Sequence, residues 1–270
     1  MAARSALYNV MERAARKAAR SLVHDFGEVE NLQVSLKGPG DFVSTADLQA
    51  ERILKAELSK ARPDYGFLME ESGAERGDGR HRWIVDPLDG TTNFLHGIPH
   101  FAISIALERE KEIVAGVIYD PMRDEMFYAE KGFGAFVNDR RMRVSARANL
   151  TDAVIGTGIP FRERGNHPHY LKLLEAVMGH TAGVRRMGAA ALDLAYVAAG
   201  RFDGFFEIGL SPWDVAAGLL LVREAGGYVS EIDGGRDALN SGNVLAANDR
   251  LSAPLGKLLR EAAPQAPSQT

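Results

Sequence analysis

Cysteine is absent from this 270-residue chain. The absence excludes disulfide staples, thiolate metal sites and cysteine nucleophiles together, and it fits a reducing cytoplasm, the compartment expected here. No apolar run is long enough to cross a bilayer, so no membrane partner is expected. A large excess of charge is also missing. Lys and Arg number 32, Asp and Glu 36, and the formal net charge of -4 gives no global pull toward nucleic acid or anionic lipid. Internal repeats and low-complexity linkers are lacking too, which argues against arrays of independent domains. What remains is the composition of a soluble globular protein, 46% hydrophobic and 25% charged, on a chain long enough for a large domain or two packed halves.

The N-terminus is basic (Arg4, Arg13, Arg16, Lys17, Arg20), which could suggest a targeting peptide. However, Leu7, Val10, Met11, Ala14, Ala18 and Leu22 fall on one helical stripe, and no apolar signal core follows. A helix with a basic outer face is expected, ending near Phe26-Gly27. A polar loop at 37–41 leads to a second helix from about Thr45 to Asp47, which turns Leu48, Ile53, Leu54 and Leu58 to a core and stops before Pro63. Strand-like runs follow at 65–69, 83–85, 101–108, 113–120 and 125–130, and a piece at 135–137 turns at Asn138-Asp139 and returns at Arg143-Val144. Past 145–152, strands at 153–156, 204–208 and 228–231 alternate with helices at 169–178, 189–199 and 215–225. We expect one domain in two packed halves, about 1–148 and 149–262, and a frayed tail at 263–270.

The chemistry concentrates at Asp86-Pro87-Leu88-Asp89-Gly90-Thr91-Thr92-Asn93. The apolar run Trp83-Ile84-Val85 ends on a carboxylate, and a proline-stiffened turn delivers a second one. Gly90 then lets the backbone approach a ligand before a hydroxyl pair suited to opening a helix. Oxygen ligands suit Mg2+, and N–H groups at a helix start suit a phosphate. Alone, this motif is equally a good turn followed by a helix cap. Three more acidic sites change the balance. Glu70-Glu71-Ser72 emerges at the end of another strand, Trp213-Asp214 opens a helix, and Asp47 heads the second helix.

Taken together, Asp86-Pro-Leu-Asp-Gly-Thr-Thr-Asn-Phe94 and Trp213-Asp-Val-Ala-Ala-Gly218 resemble the two signature segments of the inositol monophosphatase family, and the likeness runs from the first helix to about residue 250. The stretch Gly183 to Gly200, continuing through Phe205 to Trp213, looks most like its bacterial extragenic suppressor branch. The resemblance implies an α/β (α+β) fold, a layered αβαβα sandwich. It also implies a lithium-sensitive, Mg2+-dependent phosphatase, a hydrolase acting on inositol-1-phosphate or a similar small polyol or sugar phosphate. Two or three Mg2+ ions are implied: Glu70, Asp86 and the Leu88 carbonyl on the first, Asp86, Asp89 and Asp214 on the second, and a shared Glu70 on a weaker third. Gly90 and Thr91 would offer N–H groups to the phosphate, and Asp47 would bond the Thr91 hydroxyl and help orient the attacking water. Asp89, Glu207 and the backbone around Ala190 are the implied substrate contacts, and Arg185 is a further substrate or subunit-contact candidate. A homodimer is expected. The branch also implies an alternative, a transcription antitermination or ribosomal RNA biogenesis factor that binds the RNA polymerase complex, with catalysis incidental.

Two positions depart from the family pattern: Met69, where glycine is common, and Ala189, where a hydroxyl residue is common. His167-Pro168-His169 reads as an exposed loop, because no third metal ligand accompanies it. Arg140, Arg141, Arg143 and Arg147 read as a solvated basic face without interleaved aromatics. His24, His81, His96, His100 and His180 lack a nucleophile to pair with and read as structural.

Overall fold

In the computed structural model, which describes residues 5–28, 34–38, 41–160 and 165–262, the N-terminal stripe becomes α1 (Ala6–Phe26). The Ser5 hydroxyl caps it by accepting from the Tyr8 N–H at 2.9 Å. Met11, Ala14, Ala18 and Leu22 are buried, and the basic face finds acids, with Lys17 2.6 Å from Glu57 and Arg16 2.7 Å from Asp124. The expected loop at 37–41 instead carries the ends of a hairpin, β1 (Val34–Gly38) and β2 (Asp41–Ser44). Directly after it comes α2 (Thr45–Ala61). Leu54 and Leu58 are buried, but Leu48 is 39% exposed. Six residues at 3.6 per turn set it roughly 120° around the helix from Leu54.

The larger sheet is built from β3 (Gly66–Met69), β4 (Gly73–Glu75), β5 (His81–Asp89), β6 (Ala102–Arg109), β7 (Glu112–Asp120), β8 (Glu125–Glu130), β9 (Gly134–Val137) and β10 (Arg140–Arg141). Its spatial order is β10-β9-β8-β7-β6-β5-β3-β4, and a short α3 (Thr91–Leu95) follows β5. Asn138 and Asp139 take φ of 44° and 65°, as a two-residue hairpin turn requires. The chain therefore returns at once in β10, pairing Arg140 with Val137, and not at Arg143-Val144 as expected.

The second half supplies β11 (Val154–Thr157), α4 (His167–His180), β12 (Gly183–Arg185), α5 (Ala190–Ala198), β13 (Gly204–Glu207) and α6 (Pro212–Glu224). After these come β14 (Tyr228–Ser230), α7 (Ala238–Ser241), β15 (Val244–Ala247) and α8 (Asp249–Ala262). The five-stranded sheet runs β12-β11-β13-β15-β14. His167-Pro168-His169 is the first turn of α4 and not a loop, with Asn166 as its cap and proline where the missing N–H costs nothing. The expected tail at 263–270 lies outside the described residues.

Five layers result. α1 and α2 cover one face of the larger sheet, α5 and α6 fill the space between the sheets, and α4 and α8 cover the outer face of the smaller sheet. This is the expected αβαβα sandwich. Strand alternation divides the core accordingly. On β6, Ile103, Ile105 and Leu107 join the core under α1 and α2, while the smaller Ala102 and Ala106 face α6. Among the described residues no helix is long and apolar enough to cross a membrane.

Candidate active site

The same alternation aims five carboxylates into the middle layer. On β5, Ile84 packs toward α5 and α6, so Asp86, two residues on, faces that way too. A regular strand would turn Asp89 to the opposite face. Here Asp86 pairs with Ser104 and Asp89 with Ala102, so one extra residue bulges between them and returns Asp89 to the face of Asp86. On β3, parallel to β5, Leu68 packs toward the middle layer and Glu70 follows it in phase. The Glu70 N–H donates to the Val85 carbonyl at 3.2 Å, which fixes Glu70 beside Asp86. In the smaller sheet Phe205 faces inward, and Glu207 follows on the same side. Ser104, opposite Asp86, donates its hydroxyl to the Trp213 carbonyl at 3.2 Å and so holds the start of α6, with Asp214, against the motif.

Backbone N–H groups hold these carboxylates in place. Asp86 accepts from Leu88 at 2.9 Å, Asp89 from Ala191 at 2.7 Å and Asp214 from Ser211 at 2.7 Å. Ala189 begins α5 without a side-chain cap, and Asp89 takes over that role from a distant strand. Gly90 has φ of 95°, and a Cβ there would lie 3.1 Å from the His100 carbonyl, so the turn after Asp89 needs glycine on both counts. The Thr91 hydroxyl can donate to Asp47 at 3.2 Å or to the Leu88 carbonyl at 3.1 Å. Asn93 fastens the motif to the segment before α5, donating to the carbonyls of His100 at 2.8 Å and Met187 at 2.9 Å.

So much negative charge in one narrow recess is costly. Burial, then repulsion by Glu70, Asp89 and Asp214, drives the Asp86 carboxyl well above the usual range. Asp214 rises for the same reasons, burial first. Asp89 is pushed up to about 7 and Glu207 to about 8, burial leading in both. The recess measures about 180 Å3, and Arg186 is the one cation on its lining among the described residues. The arrangement is a set of convergent oxygen donors short of positive charge.

The chain matches the family described as "Inositol monophosphatase family" over residues 3–265. It belongs to the inositol monophosphatase family. An inositol-1-monophosphatase of Mesorhizobium japonicum is 65% identical over 260 residues, covering 96% of this chain and 98% of that protein. The Nus factor SuhB of Escherichia coli is 45% identical, covering 91% of this chain and 92% of its own. Among solved structures, the extragenic suppressor protein suhB from Bartonella henselae superposes with a TM-score of 0.93 at 60% identity, covering 95% of this chain and 99% of that one. A Thermotoga maritima IMPase gives a TM-score of 0.84 at 38% identity, covering 93% and 95%.

Within this inositol monophosphatase fold, the recess gathers Glu70, Asp86, Leu88, Asp89, Gly90, Thr91, Ala190, Glu207 and Asp214 on one lining. Asp47 is fully buried behind them and reaches the site through Thr91. Arg185 is not on the lining. Its guanidinium turns back to the Val184 carbonyl at 2.9 Å, and the neighbouring Arg186 occupies the recess instead. Adjacent arginines carry no sequence signal that separates them. Asp193 was also silent in sequence: it lies in the first turn of α5, yet it is buried with Oδ1 unpartnered, and burial holds its carboxyl well above the usual range.

The donor set of Glu70, Asp86, Asp89, Asp214 and the Leu88 carbonyl is all oxygen and fits a hard cation such as Mg2+. Among the described residues no three acidic or histidine side chains close into a complete cage. Mg2+ does not require one, because it keeps several waters and shares its remaining positions with substrate phosphate. A larger cavity of about 960 Å3 lies at the far end of β5, around His81 and Arg82. Two of its charge pairs are closed, Arg80 with Glu110 at 2.5 Å and Arg82 with Glu108 at 3.0 Å, and none of the carboxylates of the recess lines it.

Proposed function

We propose that this chain is a Mg2+-dependent phosphomonoesterase that hydrolyses inositol-1-phosphate or a similar small polyol or sugar phosphate. The observation that carries the reading is the recess itself: Asp86, Asp89, Asp214 and Glu207, all with raised pKa values, face one another beside the Gly90-Thr91 turn, with Arg186 the one cation on the lining among the described residues. Glu70, Asp86, Asp89, Asp214 and the Leu88 carbonyl would hold Mg2+. Bound there, the metal would supply an activated water and charge neutralisation for an in-line displacement at phosphorus. The chain's own residues do the rest. Gly90 and Thr91 present N–H groups to the phosphate, Asp47 holds the Thr91 hydroxyl toward the water, and Glu207 and the Ala190 backbone read hydroxyls of the alcohol. Phosphate release from inositol-1-phosphate should require Mg2+ and be suppressed by Li+. No release in saturating Mg2+ would sink the assignment.

A second reading has its own support, the 45% identity to the E. coli Nus factor SuhB across most of both chains. On that reading the chain binds a transcription complex as an antitermination factor, whether or not it turns over phosphate. Recovery of RNA polymerase from bacterial extract by both wild type and Asp89→Asn would favour it. Absence of polymerase from both would remove it. A homodimer is part of the proposal, and light scattering that gives the mass of one chain would refute it.

A further inference from the structure

Glu207 does not face the recess alone. The N-terminal end of α5 opens on it: Ala189 and Ala190 lie on the lining, and Asp89 holds the Ala191 N–H. One turn deeper, the Asp193 N–H donates to the Ala189 carbonyl at 3.0 Å, which sets Asp193 on the helix face of Ala189 and Ala190. Side chains on a helix lean toward its N-terminus. The Asp193 carboxyl therefore leans toward the recess, and the residues in front of it carry only methyl groups. Its nearest acidic neighbours agree with that direction, since Glu207 and Asp89 both lie on the lining.

The fold gives this carboxyl no partner. Asp193 is the one charged residue of α5, it is 1% exposed, and its Oδ1 accepts no hydrogen bond. A buried polar group without a partner destabilises the folded chain. Leucine repeats the branching of aspartate at Cγ and would match the apolar helix around it without that penalty. A carboxyl kept in such a place, leaning toward a ligand recess, calls for a role beyond folding.

We propose that Asp193 is a specificity-determining residue, which together with Glu207 makes the alcohol side of the recess select alcohols that carry hydroxyl donors. This rests on the phosphatase reading above and deepens it at the same site. Carboxyl oxygens from β13 and α5 converge on one wall, and in a buried setting they favour an O–H dipole pointing at them. An alcohol without hydroxyls gains nothing from that wall. Glu207 meets the hydroxyl and Asp193 orients it from behind, so Asp193 is a positioning residue and not a catalytic one.

The test compares inositol-1-phosphate with 4-nitrophenyl phosphate, whose alcohol has no hydroxyl beyond the esterified one, at saturating Mg2+. The readout is the ratio of kcat/KM for the first ester to that for the second. Asp193→Leu should lower this ratio at least tenfold, mainly through KM for inositol-1-phosphate, while Tm in EDTA holds or rises. Asp193→Asn keeps an acceptor oxygen and should keep the ratio within about threefold of wild type. Leu194 controls for the seating of α5, because it packs against Gly218 of α6, where a Cβ would lie 2.5 Å from the Leu194 Cβ. Leu194→Ala should lower Tm and leave the ratio within about threefold. An unchanged ratio in Asp193→Leu, including an equal fall on both esters, would overturn this inference and leave the phosphatase reading standing. Turnover of neither ester by wild type would overturn both.

Discussion

Asp89 and Asp214 each do two jobs with one side chain. One oxygen accepts a backbone N–H, from Ala191 and from Ser211, and the charge adds to the negative field of the recess. Asparagine keeps an acceptor oxygen at nearly the same place and removes the charge. Asp89→Asn and Asp214→Asn should therefore retain the caps of α5 and α6 and relieve repulsion within the cluster. Turnover is expected to fall about 100-fold or more, as for loss of a metal contact worth several kcal/mol. The melting temperature in EDTA should hold or rise. Turnover near that of wild type in either variant, measured at saturating Mg2+, would remove that residue from the proposed metal site. At this scale the sequence was legible where carboxylates follow apolar strand-like runs, as with Glu70 and Asp86, and where Asp214 sits at the start of a helix. It was illegible at Arg185 and Arg186, where only the path of the backbone decides which guanidinium enters the recess. Asp193 went unseen because acids in the first turn of a helix are ordinary.

Elements were readable where periodicity was strong: α1 from its apolar stripe, β6 and β7 from their continuous apolar runs. The Asn138-Asp139 turn was recognised, but its two-residue length sets the return strand immediately after it, three residues before the expected place. β4, β12 and α7 are three or four residues long, too short to show a period. The bulge between Asp86 and Asp89 was hidden, since it exists only in the register against β6. Asn93 was visible as part of the motif, but its work is between elements. It ties the start of α3 to His100, ahead of β6, and to Met187, ahead of α5. Asn93→Ala would leave two carbonyls short of a donor in a buried setting, at a cost of roughly 2–4 kcal/mol. Urea denaturation should report that loss through a lower midpoint at unchanged slope. Because Asp89 caps α5 across the same junction, kcat should fall along with stability. A variant as stable as wild type would show that α5 is seated by its packing against α6 alone.

For the whole molecule the recess is a liability until it is filled. The Glu207 carboxyl is raised from 4.5 to about 8 and the Asp89 carboxyl from 3.8 to about 7, so without a cation the folded chain retains protons that the unfolded chain has released. A raised folded-state pKa contributes stability that is complete below the unfolded value and disappears as pH climbs through the folded one. In EDTA the melting temperature should thus fall progressively between about pH 4 and about pH 8. Mg2+ favours the ionised carboxylates, so its binding should release protons, and the stabilisation it adds should grow over the same interval. Glu207 separates the two effects, because it shares the burial but is not among the proposed metal donors. Glu207→Gln should flatten the upper part of the EDTA profile, above about pH 7, while leaving most of the Mg2+ increment intact. Scanning fluorimetry across pH, with EDTA or Mg2+, reads both at once. A Mg2+ increment that did not change with pH would mean that the carboxylates are already ionised in the free protein, and the electrostatic basis of the proposed metal site would have to be abandoned.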